Sequence, residues 1–226
     1  MNEIKEYSTH YATKLAYVIS TISEYGGVGT LTAIEKATNE KDTTAKNWLF
    51  NGKLPRESKR LAIADAVGTS AEYLFNDAIA VTDIRKPEIV KKDNCYFVPM
   101  VEDSDVFLMK QAQRFPIKTR LPVMLPHMDD LVATYGKNIY ATKLSSSNFQ
   151  PYIEENATVI YSENILLEDY KFVLIGDGHA SVTLKRIIKV DGKFRLMRYN
   201  KEDDEVLECI PDKSNMLLVL LSFSTS

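Results

Sequence analysis

The chain is poor in cysteine, in long apolar runs and in clustered histidine. Only Cys95 and Cys209 occur. Two thiols so placed make neither a disulfide framework nor a zinc-ligand pair, and a reducing, cytoplasmic setting is the default expectation. The longest apolar run, residues 216–221, is six residues. A bilayer span needs ~20, so the run reads as a buried strand and no membrane partner is expected. Residues 1–6 show no basic region followed by an apolar core, so no signal peptide is expected. The three histidines, His10, His127 and His179, stand far apart, with no His-Glu-x-x-His spacing. His127-Met128-Asp129-Asp130 reads as a solvated loop rather than a metal site. Gly176-Asp177-Gly178-His179 lacks the following helix that a phosphate cradle needs and reads as a hairpin turn. No metal and no cofactor are expected, and neither an internal repeat nor a low-complexity tract is present.

What is present is ordinary globular protein. At 226 residues and 25.6 kDa, the chain fits one large or two small domains. Hydrophobic residues make up 45% and charged residues 26%, which excludes disorder for its bulk. The formal net charge of −3 excludes a globally basic coat but leaves room for a local patch. Such a patch exists. Between residues 36 and 60 stand Lys36, Lys41, Lys46, Lys53, Arg56, Lys59 and Arg60 against Glu40, Asp42 and Glu57, seven basic minus three acidic, a local +4. Duplex DNA carries a negative charge every ~1.7 Å, so this segment could supply several phosphate contacts; a solvated, lysine-rich helix surface is the plainer reading of the charge alone.

Residues 8–76 read as five short helices. Tyr11, Leu15, Val18, Ile19 and Ile22 recur at helical spacing over about 8–24. Gly26, Gly27 and Gly29 end that helix, and Thr30 can cap a second one carrying Leu31, Ile34 and Ala37. After a polar turn, a third helix is predicted from about Asp42 to Phe50 with Ala45, Trp48 and Leu49 inward, stopped by Asn51-Gly52. Pro55 suits the first turn of a fourth helix, with Leu61, Ala64, Ala66 and Val67 as its apolar stripe and Gly68 as its end. Ser70 starts a last short helix containing Tyr73, Leu74 and Phe75. Residues 78–95 show no clear period and read as a linker that could hold a strand. Beyond Tyr96 the pattern is strand-like at 96–98, 139–144, 157–161, 171–175, 181–190, 193–198, 206–210 and 217–223. Asp191-Gly192 is a strong hairpin signal, and 123–134 is the best candidate for a helix or irregular insert.

With Ala45, Trp48 and Leu49 facing the core, Lys41, Thr43, Thr44, Lys46, Asn47 and Asn51 are left for the outer surface of the third helix. A helix of this length fits a major groove ~12 Å wide. There Asn can pair with adenine, and Thr can meet a base edge or a thymine methyl. Lys53, Arg56, Lys59 and Arg60 would flank the groove and meet phosphates.

These residues carry a resemblance. Lys46-Asn47-Trp48-Leu49-Phe50-Asn51-Gly52-Lys53-Leu54-Pro55 resembles the end of the recognition helix in phage-repressor helix-turn-helix domains. The stretch from Leu61 to Phe75 resembles their closing pair of helices. That family prefers a glycine where Asn39 stands and an apolar residue where Glu40 stands. The resemblance extends to the C-terminal half, since phage repressors and LexA-like proteins carry a β-rich, signal-peptidase-like domain that cuts its own chain with a serine–lysine pair. Such a serine needs a neighbouring base, and a lysine serves as that base only once burial lowers its pKa. Ser146-Ser147-Asn148-Phe149-Gln150-Pro151 is similar to the family's Gly-Asp-Ser-Met-x-Pro segment, with Asn148 in the place of the serine. Val182-Thr183-Leu184-Lys185-Arg186-Ile187 is similar to its lysine-bearing strand, and Lys185 follows Asn148 by 37 residues. The scissile Ala-Gly would lie near Ala112-Gln113, yet no Ala-Gly dipeptide occurs in the chain.

The resemblance therefore implies an all-α helix-turn-helix domain of about five helices over residues 1–77, a linker over 78–95, and a mostly-β LexA-like domain over 96–226. The implied function is a dimeric, cytoplasmic, sequence-specific transcriptional repressor bound to double-stranded operator DNA. Its peptidase-like domain is not an enzyme: Asn148 and Lys185 form a degenerate site, and the domain pairs two copies instead of cutting. An antirepressor protein that binds the β-rich domain is consistent with the lost serine. Two alternatives stay open: a self-cleaving repressor using Ser147 and Lys185, and a protein-interaction regulator that no longer binds DNA.

Overall fold

Helical periodicity at the start of the chain and two-residue periodicity after it produce two units. The computed structural model describes residues 9–20, 27–102, 105–106, 115–144, 156–164, 168–169, 171–176, 182–199, 205–209 and 217–224. The chain divides into a helical unit of residues 1–87 with 113–118, and a β-rich unit formed by the remainder.

In the helical unit, α1 (Thr9–Ser20), α2 (Gly27–Thr38), α3 (Asp42–Phe50), α4 (Glu57–Val67) and α5 (Ala71–Phe75) follow one another. Their shared core holds Tyr11, Leu15, Val18, Ile34, Ala45, Trp48, Leu49, Ile63, Ala64, Val67, Tyr73 and Leu74. Three expectations are corrected here. Helix α2 begins at Gly27, so Gly27 and Gly29 stand inside the helix that Thr30 was expected to open. Ala37 is exposed, and Ile63 of α4 is fully buried where Leu61 and Ala66 are only half-buried. Pro55 lies before α4, whose N-cap is Arg56. Ser70 does cap α5, its side chain accepting from the Tyr73 N–H at 3.0 Å.

The boundary at Pro87/Glu88 falls inside the stretch 78–95 that reads as a linker, and both halves of that stretch are packed. Ile79 enters the helical core. The Arg85 carbonyl accepts from the Ser70 N–H at 2.8 Å and from Thr69 Oγ1 at 2.6 Å. Residues 115–118, which follow the first strands in sequence, also pack on the helical unit. The Phe115 N–H donates to the Gly68 carbonyl (3.0 Å) and the Ile117 N–H to the Asp65 carbonyl (2.9 Å), with Ile117 buried.

Among the described residues of the β-rich unit, ten strands form one sheet: β1 (Val90–Lys92), β2 (Cys95–Met100), β3 (Thr119–Val123), β4 (Ile139–Lys143), β5 (Thr158–Ser162), β6 (Phe172–Gly176), β7 (Val182–Val190), β8 (Lys193–Tyr199), β9 (Glu205–Cys209) and β10 (Leu217–Ser224). The order is β1-β2-β4-β5-β10-β6-β7-β8-β9, with β3 on β2. Only β2–β4 is parallel among the described pairings. Asp191 and Gly192 take φ of 50° and 77°, the doubly left-handed turn that matches strand twist, and set Val190 opposite Lys193. One sheet face, with Val98, Ile139, Ala141, Ile160, Val173, Ile187 and Leu196, packs under α6 (Met128–Tyr135) through Met128 and Tyr135. The other face carries the cross-strand pair Tyr140 and Tyr161, ring centroids 6.1 Å apart.

The helical core carries a pH prediction. Tyr73 donates its hydroxyl to the Val81 carbonyl at 2.6 Å, and burial pushes its pKa up to about 12. Burial also raises that of Tyr11. A phenol whose folded pKa is raised adds stability that is complete below its ordinary value near 10 and is lost as pH climbs through the folded value. Lys14 works the other way. Its buried ammonium donates to the Asn76 carbonyl and lies 5.4 Å from the Tyr73 ring centroid, and burial lowers its pKa. Its contribution improves with pH only up to the ordinary lysine value, 10.5. Above that the tyrosines dominate. The helical unit should therefore lose stability between pH ~10.5 and ~12, with helical circular dichroism falling as the last tyrosinate absorbance appears. Helical circular dichroism and thermal stability unchanged up to pH ~12 would contradict it.

Candidate nucleic-acid interface

The basic segment folds as α2, a three-residue turn and α3. The turn depends on its first residue. Asn39 has φ of 52°, the left-handed conformation that usually ends a helix on glycine and, less often, on asparagine. This lets the Glu40 N–H return to the Glu35 carbonyl at 3.3 Å. Asn39 thus does the backbone work of the glycine that the resemblance leads one to expect. Asn39→Val should destabilise the helical unit by about 1–2 kcal/mol, because a β-branched side chain clashes in that region, while Asn39→Gly should be close to neutral. Thermal melts of the two variants would compare them.

Lys59 and Arg60, expected beside the groove, are engaged inside the unit instead. Lys59 Nζ donates to the Thr38 carbonyl at 2.6 Å and lies 3.6 Å from Glu40. It places a cation on the carbonyl end of α2, where the helix dipole favours one. Arg60 Nε donates to the Pro55 carbonyl at 3.3 Å, and its guanidinium stacks 5.3 Å from the Phe75 ring centroid. Charge composition alone does not distinguish these tethers from surface cations.

Helix α3 presents two unlike faces. Ala45, Trp48 and Leu49 are buried, as the periodicity predicts. Lys41, Thr43, Lys46 and Asn51 are exposed, with Thr44 and Asn47 half-buried at the edge. Gly52, at φ 66°, turns the chain so that the Lys53 N–H meets the Asn47 carbonyl at 3.2 Å. Arg56 is exposed and Lys53 half-buried just beyond. All eight proposed contact residues, Lys41, Thr43, Thr44, Lys46, Asn47, Asn51, Lys53 and Arg56, therefore lie on α3 or within six residues of its last turn.

Two contacts shape this face. Lys46 Nζ pairs with Asp42 at 2.7 Å, both side chains about half exposed. The pair is available for exchange, since an exposed ion pair is weak and screened. Asn51 Nδ2 donates to Asn47 Oδ1 at 2.8 Å. The Oδ1 atom keeps a second lone pair, so Asn47 can still accept from adenine N6 while donating to N7, now with its amide plane fixed. On a duplex, Asn47 would be the group free to meet a base, with Asn51 holding its amide in place. Asn47→Ala should relax preference at one base pair by about 1–3 kcal/mol. Asn51→Ala should lose part of that discrimination and leave the salt dependence unchanged. Competition binding between matched and single-substituted duplexes measures both.

One residue of this face escaped the sequence reading. Phe50, the last residue of α3, is 63% exposed. The helical period carried it: Phe50 is seven residues after Thr43 and falls outside the inward set of Ala45, Trp48 and Leu49.

Elsewhere, Ser147 and Asn148 lie outside the described residues, as do Ala112-Gln113 and His179. Lys185 sits half-buried on β7, opposite Val173 of β6. His127 is exposed ahead of α6, where Asp129 binds Lys91 at 2.7 Å and accepts the Tyr96 hydroxyl, an arrangement that joins β1, β2 and α6. Lys91 and Tyr96 hold the Asp129 carboxyl below the usual carboxylate range. Among the described residues, no group of three His, Cys, Asp or Glu is placed to hold a metal ion, and no helix is long and apolar enough to cross a membrane. No protein-family model matches the chain, and no curated protein matches it either.

Proposed function

We propose that this protein binds double-stranded DNA sequence-specifically through α3 and acts as a transcriptional repressor of the phage type. The carrying observation is the division of α3 into a buried face of Ala45, Trp48 and Leu49 and an outer face of cations, hydroxyls and a fixed amide pair. In this reading α2 and α3, joined by the Asn39 turn, are the helix-turn-helix. Thr43, Thr44 and Asn47 meet base edges, and Lys41, Lys46, Lys53 and Arg56 meet phosphates. The β-rich unit serves as a LexA-like dimerisation domain. An asparagine amide at 148 cannot attack a peptide carbonyl, so that domain pairs two copies without cutting either. Two recognition helices then meet half-sites ~34–36 Å apart, or a multiple of that spacing.

The test is selection of bound duplexes from a random pool with the full chain, followed by titrations over a range of salt. The expected result is an inverted-repeat site whose halves are spaced by whole helical turns, and a complex that weakens steeply with salt. Absence of any salt-sensitive complex would overturn the reading. A denaturing gel after incubation at high pH, where lysine loses its proton, tests the self-cleavage alternative. Two fragments meeting near residue 112 would restore an active serine–lysine pair.

A further inference from the structure

We infer that Phe50 reads the C5 methyl of thymine in the major groove, a specificity contact that rests on the DNA-binding reading above and extends it. Phe50 and Met124 are the exposed large hydrophobics among the described residues. Phe50 is the one set among cations. On a helix of 3.6 residues per turn, seven residues bring it back to within ~20° of Thr43, about 10.5 Å further along the axis. Lys46 and Asn47, four and three residues earlier, are its neighbours on the same surface. Lys53 and Arg56 follow it by three and six residues, so cations stand on both sides of the ring in the sequence.

This combination selects its occupant. The neighbouring cations favour a polyanion such as nucleic acid. A phenyl ring accepts no phosphate and offers no donor to a base edge. In the major groove of unmodified duplex DNA, the apolar group available to it is the thymine methyl. The 10.5 Å offset spans at most about three base pairs at ~3.4 Å each, so the thymine should lie within about three base pairs of the position met by Thr43.

The experiment replaces thymine by uracil, one position at a time, in the duplex recovered by selection. Uracil keeps the pairing and the groove hydrogen-bond pattern and removes only the methyl. Binding of the full chain is read by fluorescence anisotropy at fixed salt, for the unchanged protein, Phe50→Ala and Phe50→Leu. Burial of one methyl predicts a roughly fourfold loss per half-site, and about fifteenfold when both half-sites are substituted. The unchanged protein should show this loss at one or two thymines in the predicted place. Phe50→Ala should bind the thymine and uracil duplexes equally, and Phe50→Leu should keep part of the difference. Indifference of the unchanged protein to uracil at every position overturns the inference while leaving the DNA-binding reading intact. So does an unaltered uracil penalty in Phe50→Ala. Sedimentation provides the remaining control. If Phe50→Ala dissociates an otherwise stable dimer, the ring belongs to a protein interface and the inference fails.

Discussion

Gly68→Ala is expected to destabilise the helical unit by about 3 kcal/mol or more and to release residues 115–118. Two independent effects add. Gly68 has φ of 78° at the end of α4, where any side chain costs ~1–2 kcal/mol. A β-carbon there would also lie 2.8 Å from the Pro116 nitrogen, 2.9 Å from the Phe115 carbonyl carbon and 3.0 Å from Pro116 Cδ. Two of the three are backbone atoms, so no rotamer change relieves the overlap, and the segment must move away. Moving it breaks the bonds from Phe115 to Gly68 and from Ile117 to Asp65, worth about 0.5–1.5 kcal/mol each, and exposes Ile117. Gly192 is the control. Its φ is 77°, yet a β-carbon there meets nothing within 4 Å, so Gly192→Ala should show only the conformational cost of ~1–2 kcal/mol. The single tryptophan, Trp48, is buried in the helical core. Its fluorescence during denaturant unfolding reports Gly68→Ala, while far-ultraviolet circular dichroism reports Gly192→Ala. Limited proteolysis should open the Gly68→Ala chain within 115–118 before the unchanged chain. Equal losses at the two glycines would show that the close approach contributes nothing.

That segment also shows where sequence reading stops. Strands β4 to β10 announce themselves by alternation or by short apolar runs, and the β7–β8 turn by Asp191-Gly192, because these signals are local. The last two helices are equally plain, with Gly68 and Ser70 as punctuation. Residues 115–118 have no local signal. Their position follows from a glycine far earlier in the chain, and nothing in Phe-Pro-Ile-Lys names that partner. Strand β3 escaped for a related reason: Pro122 breaks its pattern, and a proline is tolerated because β3 pairs with β2 at the sheet margin. In α2, packing of the helix overrides the weak propensity of Gly27 and Gly29. At the candidate site the inward residues of α3 were legible from their period. The contacts of Lys59 with Thr38 and of Arg60 with Phe75 were not, since they depend on tertiary placement; the Asn47–Asn51 bond, at four-residue spacing, was a local signal that went unread.

The largest functional effect is expected from Lys46→Ala combined with Arg56→Ala. In the proposed DNA-bound dimer this pair of changes would remove four phosphate contacts. Each contact releases counterions and contributes about 0.9 to the log–log salt slope, so the slope should fall by about 3.6, and affinity near 0.15 M salt by about a thousandfold. The loss should be the same for matched and unmatched duplexes, because phosphates carry no sequence. Asp42 sharpens the test. It holds Lys46 at 2.7 Å and puts a negative charge on the face proposed to meet the duplex. Lys46 must exchange this carboxylate for a phosphate on binding, so Asp42→Asn should tighten binding to every sequence. Lys46→Ala alone should cost more than Arg56→Ala, since it leaves Asp42 uncompensated against the DNA. Adding Asp42→Asn to Lys46→Ala should recover that excess, and electrophoretic shifts over a salt series would read all four slopes. A surface that docks an acidic protein instead would give a salt dependence with no duplex in the assay and none of these changes with one. The opposite signs at positions 42 and 46 therefore separate a DNA-reading face from a merely basic one.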